Sequence, residues 1–135
     1  MSGLVLKLKP GERVMINGAV LVNGDRRTSL SVASPDVNVL RLKDAIHPKD
    51  VDTPVKRAIY KAQLVLASEA NGTETKSDLI VALEELSQVF RDSDSRRTLD
   101  EATTAVLSGN FYLTMKSLKK LLPREQRILS FGGIA

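Results

Sequence analysis

A series of tight-turn dipeptides within the first 46 residues strongly limits the folds that this chain can adopt. Pro10-Gly11, Asn17-Gly18 and Asn23-Gly24 each supply a preset φ or a residue that tolerates positive φ. Short runs rich in valine, leucine and isoleucine lie between these turns. Such a pattern is typical of antiparallel strands, because each tight turn reverses the direction of the chain. Residues 1–46 are therefore predicted to form a small antiparallel β module.

Five strands are predicted in this module, and the first is the most regular. Over residues 4–9, three leucines alternate with Val5, Lys7 and Lys9, which is the period of a half-buried strand. In the last strand, Val37, Val39 and Arg41 are expected on one side, and the cations of the first and last strands form one patch if these strands are neighbours at the sheet edge. The other strands are expected at residues 13–16, 19–22 and 28–32, with the last at residues 37–42.

After residue 46 the apolar residues change to helical spacing. Residues 47–53 have no apolar period and are predicted to be a linker. Thr53-Pro54 has the capping hydroxyl and the proline that are typical of a helix start. Amphipathic stripes then follow one another with short connections, and each is expected to be buried as core. The first two stripes are Val55, Ala58, Ile59, Ala62, Val65 and Leu66, and Leu79, Leu83, Leu86 and Phe90. Residues 54–135 are therefore predicted to form a helical bundle, which makes the fold class α+β.

Four helices are expected in this bundle. The first is predicted to end at Asn71-Gly72, and the second to begin near Ser77. The third is expected between a cap at residues 92–94 and Gly109, and the fourth between Asn110 and Pro123, where proline stops the helix or starts a short final turn. Residues 131–135 are predicted to be a frayed tail.

Composition argues against most kinds of chemistry. The chain has no cysteine and a single histidine, His47, so it offers no thiolate ligands and only a weak start for a metal site. Its glycines match hairpin turns rather than a phosphate-binding loop. No signal peptide and no apolar segment of about 18 residues is visible. We expect a soluble, cytoplasmic protein that is not an enzyme, has no catalytic residue, cofactor or metal, and does not enter a membrane.

Basic residues carry more information than any other group, although the net charge is only +4. One interpretation is that the basic residues of the β module are ordinary solvent-exposed strand residues, since acidic residues lie among them. The functional interpretation is a patch for a polyanion, in which Arg41 hydrogen-bonds base edges of an unpaired loop. A second cluster near the C-terminus suits either a helix end or another anion contact. The first group is Lys7, Lys9, Arg13, Arg26, Arg27, Arg41 and Lys43, and the second is Lys116, Lys119, Lys120, Arg124 and Arg127.

Several segments resemble the FlbT family of flagellar biosynthesis repressors. They are residues 6–13 (LKLKPGER), 16–20 (INGAV) and 23–27 (NGDRR), with Asp52-Thr53-Pro54 and a helix carrying Tyr60 and Gln63. The resemblance implies a cytoplasmic post-transcriptional regulator that acts on the 5′ untranslated region of flagellin mRNA. It also implies a small protein partner of the FlaF type.

The β module also resembles the carbon storage regulator, a small RNA-binding protein that forms an intertwined dimer. Gly11-Glu12 and residues 29–41 (SLSVASPDVNVLR) carry this likeness. That resemblance implies that the basic end of the first strand and the arginine of the last strand grip RNA across the dimer. Two arginines are expected before Gly-Glu, whereas this chain has Leu8 and Lys9 at the corresponding place. Carried over by position, the implied contacts are Leu6, Lys9, Val39 and Arg41.

The sequence therefore leads to one main hypothesis and one rival. The main hypothesis is a repressor that binds the 5′ leader of flagellin mRNA, lowering its translation or promoting its decay. The rival is a protein-interaction adaptor that uses an uncovered helical face and does not bind RNA directly. A homodimer formed through a sheet edge is compatible with either. The predicted RNA-binding residues are Leu6, Lys7, Lys9, Arg13, Val39 and Arg41.

Overall fold

The computed structural model describes residues 4–132, which form five strands followed by five helices. Two short 3-10 turns, Leu42–Asp44 and Pro48–Asp50, join the two parts. The fold is α+β, as predicted, although it has one more helix than expected. The strands are β1 (Leu4–Leu8), β2 (Arg13–Ile16), β3 (Ala19–Val22), β4 (Thr28–Val32) and β5 (Val39–Arg41). The helices are α1 (Pro54–Leu66), α2 (Gly72–Ser87), α3 (Ser93–Leu107), α4 (Phe111–Lys119) and α5 (Leu122–Gly132).

The five strands form two sheets. Strand β1 pairs with β4, and a second sheet has the order β3-β2-β5, with every pairing antiparallel. Asn17 and Gly18 both have positive φ and form the two-residue turn between β2 and β3. Pro10 and Gly11 also turn the chain, but β1 and β2 do not pair. The first and last strands are therefore not neighbours in one sheet, because β4 pairs with β1 and β2 pairs with β5.

The three-stranded sheet lies between two apolar clusters. Because side chains alternate along a strand, Val14 and Val39 point to one face of the sheet, and Leu40 points to the other. Val14 and Val39 pack with Leu6 and Leu8 of β1. Leu40, which is 2% exposed, belongs to the core of the helices. The last strand therefore contributes to both clusters.

The predicted inward stripes of the helices are confirmed by burial. All six predicted residues of the first stripe, in α1, are buried, and so are all four of the second, of which three lie in α2 and the last lies just after its end. Three of the predicted caps are confirmed as well, since the side chains of Thr53, Asp92 and Asn110 each accept a backbone N–H bond at a helix start. The first stripe is Val55, Ala58, Ile59, Ala62, Val65 and Leu66, and the second is Leu79, Leu83, Leu86 and Phe90.

Several predicted boundaries are wrong. Asn71 does not end α1; its side chain accepts hydrogen bonds from the backbone of Thr73 and Glu74, so it caps α2, which begins at Gly72 rather than near Ser77. Helix α1 ends earlier, at Leu66, where Ser68 takes the positive φ of a helix terminus. The last strand is three residues long. Of the predicted tail, Phe131 and Gly132 are helical, and residues 133–135 lie outside the described residues.

Two side chains connect the segment around residues 47–53 to the helices. The Gln63 side chain donates to the carbonyl of Ile46 (3.0 Å) and accepts from its N–H (2.7 Å). The buried carboxylate of Glu125 in α5 accepts from the Thr53 hydroxyl (2.5 Å) and the Val55 N–H (2.9 Å). Glu125 thus caps the start of α1 from a helix about 70 residues further along the chain.

We expect replacement of Glu125 with alanine to destabilise the fold by about 1.5–3 kcal/mol, because two hydrogen bonds to a buried carboxylate are lost. Urea unfolding monitored by circular dichroism measures this effect. Gln126→Ala is the matched control, because Gln126 is the exposed neighbour of Glu125 on the same helix. Equal urea midpoints for the two variants would contradict the capping role.

Candidate nucleic-acid interface

The sheet formed by β1 and β4 has one apolar face and one polar face. Its register places Lys7 opposite Ser29 and Leu8 opposite Thr28. Leu6 and Leu8 point inward and are buried, whereas Val5 and Lys7 of β1 and their partners Ser31 and Ser29 of β4 point outward and are exposed. The outward face of this two-stranded sheet is therefore mostly hydrophilic, with Lys7 toward the end of β1 that leads to Lys9.

A shallow groove of about 340 Å³ lies at the end of β1 that carries the lysines. Lys7, Lys9 and Arg27 contribute three exposed cations to this groove, and none of the three forms a salt bridge with another residue in the range 4–132. We call it the β1–β4 groove; its lining residues are Lys7, Leu8, Lys9, Arg27, Thr28 and Ser29. Three unpaired cations beside two hydroxyl groups are suited to bind phosphate oxygens.

Behind the groove, Glu12 joins the first strand to the last. One carboxylate oxygen of Glu12 accepts from the Lys9 N–H (3.0 Å), and the other accepts from the Arg41 guanidinium (2.7 Å from Nε and 2.6 Å from Nη2). Arg41 Nη2 also donates to the carbonyl oxygen of Lys7 (2.6 Å). The side chains of Arg41 and Glu12 are only 17% and 7% exposed. We call this arrangement the Glu12 clasp; it holds the backbone of Lys7 and Lys9 against β5.

The clasp lowers the pKa of Glu12 below its ordinary value of 4.5. The Lys9 N–H bond is the main cause and the Arg41 guanidinium adds to it, while partial desolvation opposes both. Because the folded state favours the ionised carboxylate, the clasp stabilises the fold fully above about pH 4.5, the ordinary pKa of glutamate. This stabilisation is lost as the pH falls through the lower pKa of the folded state.

We therefore expect Glu12→Gln to lower the urea midpoint at pH 7, and the difference from the wild-type protein to shrink as the pH falls below about 4.5. Urea titrations at several pH values measure this. The pH dependence of the wild-type protein alone does not isolate the contribution of Glu12. Hydrogen bonds from Ser95 also lower the pKa of Asp92, so Asp92 adds its own loss of stability in acid. A wild-type advantage that stays constant down to pH 3 would contradict the assignment.

The structure brings together some of the predicted RNA-binding residues and separates others. Lys7 and Lys9 share the β1–β4 groove, with Arg41 directly behind them. Leu6 and Val39 are buried in the apolar cluster between the two sheets. Arg13 is exposed but leaves β2 on the face opposite Arg41, because Val14, not Arg13, is the partner of Arg41 in the ladder.

Arg27 belongs to the predicted basic group but not to the predicted RNA-binding residues, and the structure adds it to this site. Arg27 directly precedes β4, and the pairing of Leu8 with Thr28 brings it beside Lys9. The signal was present in the Arg26-Arg27 pair after the turn at Asn23-Gly24. It required knowledge that β1 pairs with β4, which local pattern alone does not supply.

The second basic cluster is largely occupied by contacts within the chain. Lys119 donates to the carbonyl of Asp44 (2.6 Å), Lys120 pairs with Glu101 (3.4 Å), and Arg124 pairs with Asp92 (3.4 Å). This cluster is therefore less available to an anion than the β1–β4 groove. Within residues 4–132, no group of three or more histidine, cysteine, aspartate or glutamate side chains is placed to hold a metal ion. None of the described helices has the length and apolar character needed to cross a bilayer.

Comparison with known proteins covers nearly the whole chain. The family model described as "Flagellar protein FlbT" matches residues 4–129. Proteins named "Probable flagellum biosynthesis repressor protein FlbT" from a Chelativorans species and from Allorhizobium ampelinum are 31% and 32% identical over 94% and 96% of this chain, and over 86% and 85% of their own length. One of the same name from Rhodopseudomonas palustris is 32% identical over 94% of this chain and 98% of its own. No solved structure matches. This chain belongs to the FlbT family of flagellar proteins.

Proposed function

We propose that this protein regulates flagellum biosynthesis by binding the 5′ leader of flagellin mRNA, which represses translation or promotes decay of the transcript. The observation that carries the proposal is the β1–β4 groove, where Lys7, Lys9 and Arg27 are exposed and form no salt bridge with any residue from 4 to 132. The repressor names of the relatives support the regulatory part. The mRNA target is what the family resemblance implies.

The chemistry of the groove favours contact with the RNA backbone. Its six lining residues include no aromatic side chain on which a base could stack. Cations and hydroxyl groups bind phosphate oxygens and sugars, which sets the position of an RNA without reading its sequence. Binding at this groove would therefore supply affinity, and a leader held there would be less accessible to the ribosome.

The Glu12 clasp gives Arg41 a positioning role in this proposal. Its guanidinium already bonds Glu12 and the Lys7 carbonyl, so it fixes the strand from which Lys7 and Lys9 project. The prediction that Arg41 hydrogen-bonds base edges stays a prediction, and it requires the guanidinium to exchange a protein partner for RNA. Arg41→Lys keeps the charge but loses the planar arrangement of donors, so a lower urea midpoint of this variant in the absence of RNA measures the positioning role alone.

The salt dependence of RNA affinity tests the proposal. Fluorescence anisotropy with a labelled flagellin leader should give an affinity that falls steeply with salt, with a slope of log K against log salt of about −2 for three phosphate contacts to a single strand. No measurable binding, or an affinity that does not change with salt, would contradict direct RNA binding.

A second candidate function is a protein-interaction adaptor, and one feature of the helices favours it. Val89, Ile128 and Phe131 are exposed around a groove on the helical side, and Phe131 is 77% exposed. Apolar side chains exposed together are typical of docking surfaces. Stoichiometric binding of purified flagellin or of the FlaF-type protein, combined with no affinity for leader RNA, would favour the adaptor.

A further inference from the structure

Strand β3 is an uncovered edge of the three-stranded sheet. All four of its residues, Ala19 to Val22, are exposed, and only β2 pairs with it in the described chain. The opposite edge strand, β5, has buried residues at Val39 and Leu40. The sheet therefore has one edge available for a further strand.

The turn at Asn17-Gly18 determines which backbone groups on β3 are unpaired. A two-residue turn makes Ile16 and Ala19 a hydrogen-bonded pair, so alternate pairs along the ladder are hydrogen-bonded too. The bond from the Asn23 N–H to the Glu12 carbonyl (2.8 Å) follows the same alternation. The N–H and C=O groups of Val20 and Val22 therefore point away from β2, and no described residue bonds them.

The side chains of β3 provide none of the usual protection of a sheet edge. The strand contains no lysine, proline or bulge, whereas β1 carries Lys7 and the exposed side chains of β4 all carry hydroxyl groups. Val20 and Val22 are 50% and 59% exposed on one face, and Leu21 is 39% exposed on the other. An uncharged apolar strand offers no cation to a polyanion. The partner that fits β3 is therefore another strand, which supplies backbone hydrogen bonds and apolar side chains.

We propose that β3 pairs antiparallel with β3 of a second copy of this chain, around a two-fold axis at Leu21. This register places Val20 opposite Val22 of the second copy and Leu21 opposite its own equivalent. Four backbone hydrogen bonds form, valine packs on valine and leucine on leucine. The two sheets become one sheet of six strands.

Charge does not oppose a second copy as the partner. Arg13, the cation on β2 that is opposite Val22, is separated from the second Arg13 by three strand spacings, about 14 Å. That distance exceeds the screening length of about 8 Å at physiological salt, so the two arginines repel each other weakly. A two-fold pairing also uses up both open edges and stops at a dimer, because the same edge is consumed on each copy.

Molecular mass in solution tests this pairing. Light scattering coupled to size exclusion should give about 29 kDa, twice the 14.7 kDa chain, with dissociation at micromolar dilution because the interface is short. Val20→Lys and Val22→Lys should give monomers, since each replaces a valine–valine contact beside the axis with a charge. Val81→Lys adds the same charge at a residue that is 57% exposed on α2, and should remain dimeric. A monomeric wild-type protein, or dimers that persist in both β3 variants, would overturn the proposal.

A variant with a single cysteine tests the register of the β3–β3 pairing, and it does not require the strand to tolerate a lysine. The chain has no cysteine, so Leu21→Cys introduces the only thiol. At the axis the two Cα atoms would be about 4.5 Å apart, within disulfide range. Mild oxidation should therefore convert most of this variant to a covalent dimer, whereas Ser31→Cys on β4 should remain monomeric in denaturing electrophoresis. Equal cross-linking at both positions, or none at Leu21→Cys, would overturn the register.

Discussion

Replacing Lys7, Lys9 and Arg27 together with glutamate is expected to lower the affinity for flagellin leader RNA by about a hundredfold or more, which corresponds to about 1 kcal/mol for each cation. These three side chains are exposed and form no salt bridge in the described chain, so each is available to a phosphate. Reversing their charge replaces attraction with repulsion. Anisotropy titrations with the labelled leader at fixed salt measure the loss.

The control has the same change in net charge at a different place. Arg57, Lys61 and Arg96 are exposed residues of α1 and α3 outside the groove. Their triple glutamate variant should bind the leader with only a small loss, caused by weaker long-range attraction. Matched thermal melts show that both variants are folded. If the two variants lose affinity equally, net charge and not the β1–β4 groove determines binding.

Replacing Leu40 with alanine is expected to destabilise the whole protein by about 2–5 kcal/mol. Leu40 lies on β5 but is 2% exposed within the core of the helices. Truncation removes buried methyl groups and leaves a cavity between the sheet and the helical core. The predicted division of the chain into a β module and a helical module at residues 47–53 stays a prediction. The Leu40→Ala variant measures how much the stability of the protein depends on the contact between these two modules.

Urea unfolding, followed by circular dichroism, measures this effect. Leu107→Ala is the matched control, since Leu107 is 60% exposed at the end of α3 and its truncation should cost little. A change of less than about 1 kcal/mol for Leu40→Ala would show that the site collapses around the smaller side chain or that the contact matters little.

Local patterns predicted the parts of this fold that are determined locally. Asn17-Gly18 indicated a turn because both residues tolerate positive φ, and both have it. Thr53-Pro54 indicated the start of α1, and the spacing of apolar residues after it identified the buried face. These signals depend on residues within one or two turns of each other, so one sequence is enough to interpret them.

Pairings between distant residues were not predictable in the same way. The choice of β4 over β5 as the partner of β1 depends on how the sheets pack, and it decides that Arg27 lies beside Lys9. Asn71 has the chemistry of either a helix end or a helix start, and only the position of α2 selects the second. Nothing near Glu125 in the sequence indicates that it caps α1.

Ultraviolet cross-linking of the purified protein to its leader RNA, with the modified peptides mapped by mass spectrometry, shows directly whether the β1–β4 groove binds the leader. We expect cross-links concentrated at residues 7–9 and 27–29, the two segments that line the β1–β4 groove. Cross-links confined to the C-terminal basic cluster at residues 116–127, with the groove unmodified, would contradict binding of the leader at the groove.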